Sequence, residues 1–373
     1  MHTNRIVKLI VLILFLFPLN SHRSLAVKGL EGRKQLVLEG NTAIVQVDLA
    51  GGSIVDFHLV GQELNPLNWN YPGKGDLEPR TIGHFICFDR WGQPSPQEQK
   101  NGMPFHGEAA QVEWSALSQP SNKGGIVSAE MSCKLPIGGL SLTRTMKLSG
   151  DSPVLVVREE ITNMNKLGRL YNIVQHPSIA PPFLDESVIV DCNAHKGFMQ
   201  SSPMPAPEEP VIYWPMIVYN GEFVDLSRLA DDHLPGVTSF VFSEGEDYGW
   251  VTACNPDKGL LIGYIWGLNE YPWLNIWRNV NDGKPAARGL EFGTTGLHKP
   301  FFDLVAKRTI FDKPLYEYID AGETVIKSYV AFLSVIPADY QGVGDIDYMK
   351  GTIVLKEKGE NRDRDITLKY KLP

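Results

Sequence analysis

An all-β fold, built as a large antiparallel sandwich or barrel, is what this 373-residue sequence predicts. Three observations carry that reading. Apolar and polar residues alternate with a period of two in several stretches, long amphipathic helical patterns are scarce, and short strand-like runs follow one another with turn residues between them. The 35 glycines and 26 prolines are spread along the chain rather than gathered, so no low-complexity segment or fixed-period repeat interrupts the pattern.

The chain opens MHTNRIVKLIVLILFLFPLNSHRSLA. Arg5 and Lys8 supply a positive start, and Leu9 to Leu19 is a run of about eleven apolar residues broken by Pro18, shorter than the ~20 a membrane helix needs. Ser24-Leu25-Ala26 offers small residues at a cleavage position. Residues 1–26 are therefore expected to be a signal peptide cut after Ala26, and the mature protein to be periplasmic or secreted with no stable membrane span.

The rest, 27–373, reads as a single domain without a linker. Strands are expected at Ala43–Leu49, Gly125–Leu135, Val188–Cys192, Val237–Phe242, Gly259–Ile265, Thr324–Val335 and Ile366–Leu372. The clearest element is a hairpin. Leu140, Leu142, Met146 and Leu148 share one face, Ser149-Gly150-Asp151-Ser152 turns the chain, and Leu155, Val157, Glu159 and Ile161 share a face of the return strand. Ser201–Pro210 (SSPMPAPEEP) reads as a surface loop, and the charged run Lys356–Asp365 as a turn between the last two strands.

Net charge is −8 with an isoelectric point near 5.6, and no basic stripe stands out, which argues against nucleic acid and phosphorylated partners. A neutral mono- or oligosaccharide fits better. Eight tryptophans and thirteen tyrosines agree with that, since flat rings pack on sugars as well as in cores. Cys87, Cys133, Cys192 and Cys254 are scattered, without metal-ligand spacing, so no metal or other cofactor is expected. Both disulfides and buried free thiols fit their placement.

Chemistry is expected at a few polar residues in apolar surroundings. His106 lies in NGMPFHGE between Gly102 and Gly107. His176 ends the alternating run YNIVQHP, where Pro177 interrupts the strand ladder. His84 lies in TIGHFICFDRWG, near Arg90 and Trp91. Glu291 sits in RGLEFGTTG between Gly289 and Gly293, glycines that read either as a bulge beside a solvent-facing glutamate or as room for a ligand. In IWGLNEYPWLNIWRN, Pro272 favours strand–turn–strand, with Trp266, Trp273 and Trp277 divided between core packing and sugar stacking, and Asn269 or Asn275 near sugar hydroxyls.

The region Arg144–Asp185, above all REEITNMNKLGRLYNIVQHPSIAPPFLD, resembles the galactose mutarotase-like (aldose 1-epimerase) superfamily. NGMPFHGE resembles that family's asparagine-glycine…histidine-glycine segment, and RGLEFGTTG its glutamate strand. The resemblance implies a β-supersandwich in which His176 is the general acid, Glu291 the general base and His106 a sugar ligand. It also implies Arg90 as a sugar-contacting arginine, and Trp266 and Trp277 join the site as stacking rings. The function it implies is interconversion of sugar anomers, with acid and base on opposite sides of the ring. A non-catalytic carbohydrate-binding protein is the alternative. A hydrolase or lyase on the same sandwich is another, and it would pair Glu291 with Glu108 or Asp89. Arg288 is expected at the surface.

Overall fold

A computed structural model describes residue 30 and residues 32–71, 77–219, 221–228, 235–359 and 364–371. The proposed signal peptide and its cut after Ala26 lie outside these residues, as does Leu372 of the last expected strand.

Two large antiparallel sheets face each other, one of twelve strands and one of eight. The predicted hairpin is the middle of the smaller sheet. Leu140–Ser149 and Val154–Asn163 pair with Leu148 opposite Leu155 and Leu142 opposite Ile161. Their alternate residues Leu142, Met146, Leu148, Leu155, Val157 and Ile161 are buried, because a period of two sends every second side chain to one face. Phe240, Leu274, Ile276, Leu290 and Phe292 of the larger sheet meet them in one apolar core. The expected strands appear with edges moved by up to three residues, for example Ile126–Leu135, Leu260–Gly267 and Ile366–Lys369. Residues 201–210 connect strands Ala194–Met199 and Ile212–Tyr213 as an irregular loop.

A three-stranded sheet of Val343–Met349, Thr352–Glu357 and Ile366–Lys369 has its own apolar contacts. Ile346, Ile353, Leu355 and Tyr370 pack with Trp250, Leu261, Ile265, Val330 and Phe332. Leu261, Ile265 and Phe332 belong to strands of the smaller sheet, so that sheet is covered on both faces. All four cysteines are free thiols, which settles the alternative that composition leaves open.

Five neighbouring strands of the larger sheet position the site. In spatial order they are His84–Phe88, Ile173–Ile179, Lys284–Gly293, Trp273–Asn281 and Gly236–Phe242. Their core-facing side chains include Ile86, Ile173, Leu290, Phe292, Leu274, Ile276 and Phe240. The alternate residues, among them Phe85, His176, Glu291, Trp277 and Val237, face the other way and line a cavity on the outer face of the sheet.

Candidate active site

Strand register brings the two central residues together. Val174 pairs with Gly293, Gln175 with Phe292 and Ser178 with Gly289, which sets His176 directly opposite Glu291. Side chains of a cross-strand pair leave on the same face within reach of each other. His176 Nε2 lies 3.0 Å from Glu291 Oε1, with the side chains only 4% and 1% exposed. The two residues, expected on opposite sides of a ring, stand side by side.

Each member is held by a further group. The indole N–H of Trp91 donates to Glu291 Oε2 at 2.7 Å, so both carboxylate oxygens are engaged. Ser178 Oγ donates to the carbonyl of His176 and stands 3.0 Å from His176 Nδ1. Which of Nδ1 and Oγ gives the proton there depends on the ring's tautomer, and Nε2 faces the carboxylate. The His176 ring also stacks on Phe85, with centroids 4.1 Å apart, and meets Trp277 edge-on at 5.3 Å.

His106 comes from a loop pressed onto the end of the strand His84–Phe88. Its backbone N–H donates to the Gly92 carbonyl, and its Nδ1 accepts from the Gly92 N–H at 3.1 Å. Nδ1 therefore carries no proton, and the neutral ring presents Nε2–H. Burial holds its pKa well below the usual histidine value, and the neighbouring His176 and His298 push the same way. Two glycines make the loop possible. A Cβ on Gly107 would lie 1.9 Å from the Phe88 carbonyl oxygen, and one on Gly92 would lie 2.4 Å from His298 Nε2.

The cavity has a volume of about 500 Å³. His106, His176, Glu291 and Trp277 line it as expected; Trp69, Phe85, Trp91, Arg80 and His298 line it too, although sequence reasoning passed over them. Trp91 had a visible signal, since it follows Arg90 in the quoted DRWG. His298 lies seven residues beyond Glu291, after a turn that no periodicity reaches.

Several expectations are corrected. Arg90 does not line the cavity: it donates to Glu98 Oε1 at 3.0 Å, pairs with Asp89 and lies over the Phe301 ring. Arg80 is the arginine that lines it. Trp266 is core: it stacks on Phe292 with centroids 4.3 Å apart and donates to the Tyr271 carbonyl. His84 is buried on the core-facing side beside Gln175. Asn275 is buried and donates to the Thr295 carbonyl, outside the cavity lining, as is Asn269. Arg288 is fully buried and donates to the carbonyls of Leu226 and Arg228.

The glycines around Glu291 make room for protein rather than ligand. A Cβ on Gly289 would stand 2.9 Å from Glu291 Oε1 and 3.1 Å from the Cβ of Trp277, and one on Gly293 would stand 2.5 Å from Val174 Cγ2.

The fold is galactose mutarotase-like: an antiparallel β-sandwich of the kind shared by mutarotase-like and aldose 1-epimerase-like structures. Three solved structures show the likeness. The Slr1438 protein of Synechocystis sp. PCC 6803 superposes with a TM-score of 0.58 at 15% identity, over 81% of this chain and 96% of that one. A galactose mutarotase-like protein from Clostridium acetobutylicum gives 0.58 at 13% identity, over 82% and 96%. A galactose mutarotase related enzyme from Lactobacillus acidophilus gives 0.55 at 11% identity, over 82% and 98%. No family model matches the sequence, and no curated protein does. At these identities the likeness establishes the fold alone.

Proposed function

We propose that this protein binds a neutral sugar in the aromatic cavity and interconverts its anomers, using Glu291 as general base and His176 as general acid. The observation that carries the reading is the cross-strand His176–Glu291 pair, 3.0 Å apart and buried at the floor of an open cavity.

Ring opening of a hemiacetal suits such a pair. The proton leaves the anomeric hydroxyl O1 for Glu291 as the C1–O1 double bond forms. The C1–O5 bond breaks and its electron pair takes a proton from His176. O1 and O5 are both bonded to C1, so an acid and a base standing side by side can serve both. Rotation about C1–C2 presents the other face of the aldehyde. On closure His176 takes the O5 proton and Glu291 returns the proton to O1, which restores both groups. The indole N–H of Trp91 fixes the position of the Glu291 carboxyl group, and His106 Nε2–H is a neutral donor for a sugar oxygen. Export by a signal peptide cut after Ala26 would put the reaction outside the cytoplasm.

Polarimetry of freshly dissolved α-glucose and α-galactose tests the proposal. The wild type should speed the approach to equilibrium, and His176→Asn should lose about 10²–10⁴-fold of that acceleration. Wild-type protein that leaves the spontaneous rate of every sugar unchanged would overturn it.

One observation favours a binding role instead. Glu291 and His176 stand 3.0 Å apart, so a sugar must part them to be activated by both. Calorimetric sugar binding without acceleration would select that alternative. Two-carboxylate hydrolysis has less support. Asp89 accepts from Arg169 Nη2 at both carboxylate oxygens, Glu108 accepts from the N–H groups of Ile137 and Gly138, and neither lines the cavity.

A further inference from the structure

We propose that the cavity holds more than one sugar residue, and that its preferred ligand is the reducing end of an oligosaccharide, whose second residue stacks on Tyr71 and Phe105 at the mouth. This rests on the reading that a sugar's anomeric centre sits at the His176–Glu291 pair.

Aromatic rings lead from that pair to the surface in two branches. Both begin at Phe85, on which His176 stacks. One branch passes from Phe85 to Trp69, centroids 5.8 Å apart, and on to Tyr71 at 6.2 Å. The other passes from Phe85 to His106 at 5.9 Å and on to Phe105 at 4.0 Å. Burial falls along both. Phe85 is buried, Trp69 and His106 are half-buried, and Tyr71 and Phe105 are 53% and 49% exposed while still lining the cavity. A scattered exposed ring needs no explanation, but two rings bordering one mouth, each continuous with the floor, mark a surface built to be covered.

Size and chemistry fit the same occupant. A cavity of about 500 Å³ lies well inside the ~300–1,000 Å³ range of pockets that enclose ligands larger than one pyranose. Thr81 and Asn279 stand among the rings as polar lining groups that a polyhydroxyl ligand can engage. The first residue must keep its anomeric hydroxyl free to react at the pair. A second residue can therefore be joined only through another hydroxyl, which is the definition of a reducing-end disaccharide. Aryl and alkyl glycosides, blocked at O1, are excluded as substrates.

The test compares affinities, so that it does not depend on catalysis. Calorimetry would measure glucose, cellobiose, maltose and lactose binding to the wild type and to the Tyr71→Ala/Phe105→Ala double variant, with thermal unfolding to establish that both are folded. At least one disaccharide should bind tenfold or more tighter than glucose, and the double variant should bring that ratio close to one. Equal affinities in the wild type, or a ratio that survives the double substitution, would overturn the proposal. Disaccharide preference without any acceleration of anomer exchange would leave this inference standing and remove the epimerase reading. Acceleration of glucose exchange without disaccharide preference would do the reverse. Failure to bind any sugar would remove both.

Discussion

Trp91 is the residue that holds Glu291 most directly. Its indole N–H is the donor to Oε2, and the carboxyl group is buried, so removing the donor leaves a buried oxygen unsatisfied. Trp91→Phe keeps most of the ring and deletes that bond. Hydrogen bonds to charged groups contribute about 1.5–3 kcal/mol, so kcat should fall about tenfold or more while sugar affinity changes less. Steady-state polarimetry that separates kcat from KM checks this; an equal loss in both would point to simple disruption of the cavity wall. The histidines set a second expectation. His84, His106 and His298 all have pKa values lowered from 6.5, chiefly by burial. Below 6.5 the unfolded chain takes up protons that the folded chain refuses. Stability should therefore be level in this respect above that value and decline as pH falls below it, by at most about 1.4 kcal/mol per pH unit for each histidine. Urea unfolding from pH 7.5 to 5 measures the slope, and stability that rose on acidification would contradict it.

At the scale of elements, strand register does the positioning. His176 and Glu291 meet because their strands pair as they do, and the glycines flanking Glu291 protect that pairing. Gly293→Ala would drive a methyl to 2.5 Å from Val174 Cγ2 and 2.9 Å from the Ile173 carbonyl. Overpacking of this kind typically costs 1–3 kcal/mol, which a chemical denaturation midpoint would register. Gly289→Ala meets Glu291 Oε1 and Trp277 instead, so it should lower activity more than stability.

Parity along a strand also explains what could be read before the structure. The period of two in Leu140–Leu148 and Leu155–Ile161 defines the hairpin and its buried faces. The same rule places Trp266 with Tyr264 and Ile262, toward the core, and Trp277 with Asn275 on the outer face. Treating those tryptophans as equivalent stacking rings overlooked that parity. Loops have no such period. Arg90 was named while Arg80 and His298 were passed over, because in a turn neither spacing nor composition says which way a side chain points.

Across the whole molecule, a buried polar network joins the smaller sheet to the strand that carries the site. Arg144 donates to Glu159 Oε1 at 2.8 Å. Gln175 donates to Glu159 Oε2 at 2.6 Å, and its amide oxygen meets His84 at 3.2 Å. Gln175 precedes His176 in the chain and points to the opposite face, so the network anchors the back of the strand that carries His176. Removing one partner of a buried ion pair typically costs 3–5 kcal/mol. Arg144→Met should therefore destabilise strongly, and the loss should show as a lowered melting temperature before any change in sugar preference. The sandwich itself was legible from alternation, and the identities of His106, His176 and Glu291 from resemblance to a known family. The inter-sheet network was not legible, because it depends on which residues of two distant sheets face each other.

The central claim is that Glu291 and His176 act as one proton-transfer unit on a sugar hemiacetal. Anomer exchange rates for the wild type, Glu291→Gln, His176→Asn and the double variant, measured by magnetisation-transfer NMR on a reducing sugar at neutral pH, test it most directly. Each single substitution should remove about 10²–10⁴-fold of the acceleration, with the double variant little slower than either, since residues of one relay are not additive. Single variants that each retain most of the wild-type rate, or a double variant whose loss is the product of the two, would contradict the account.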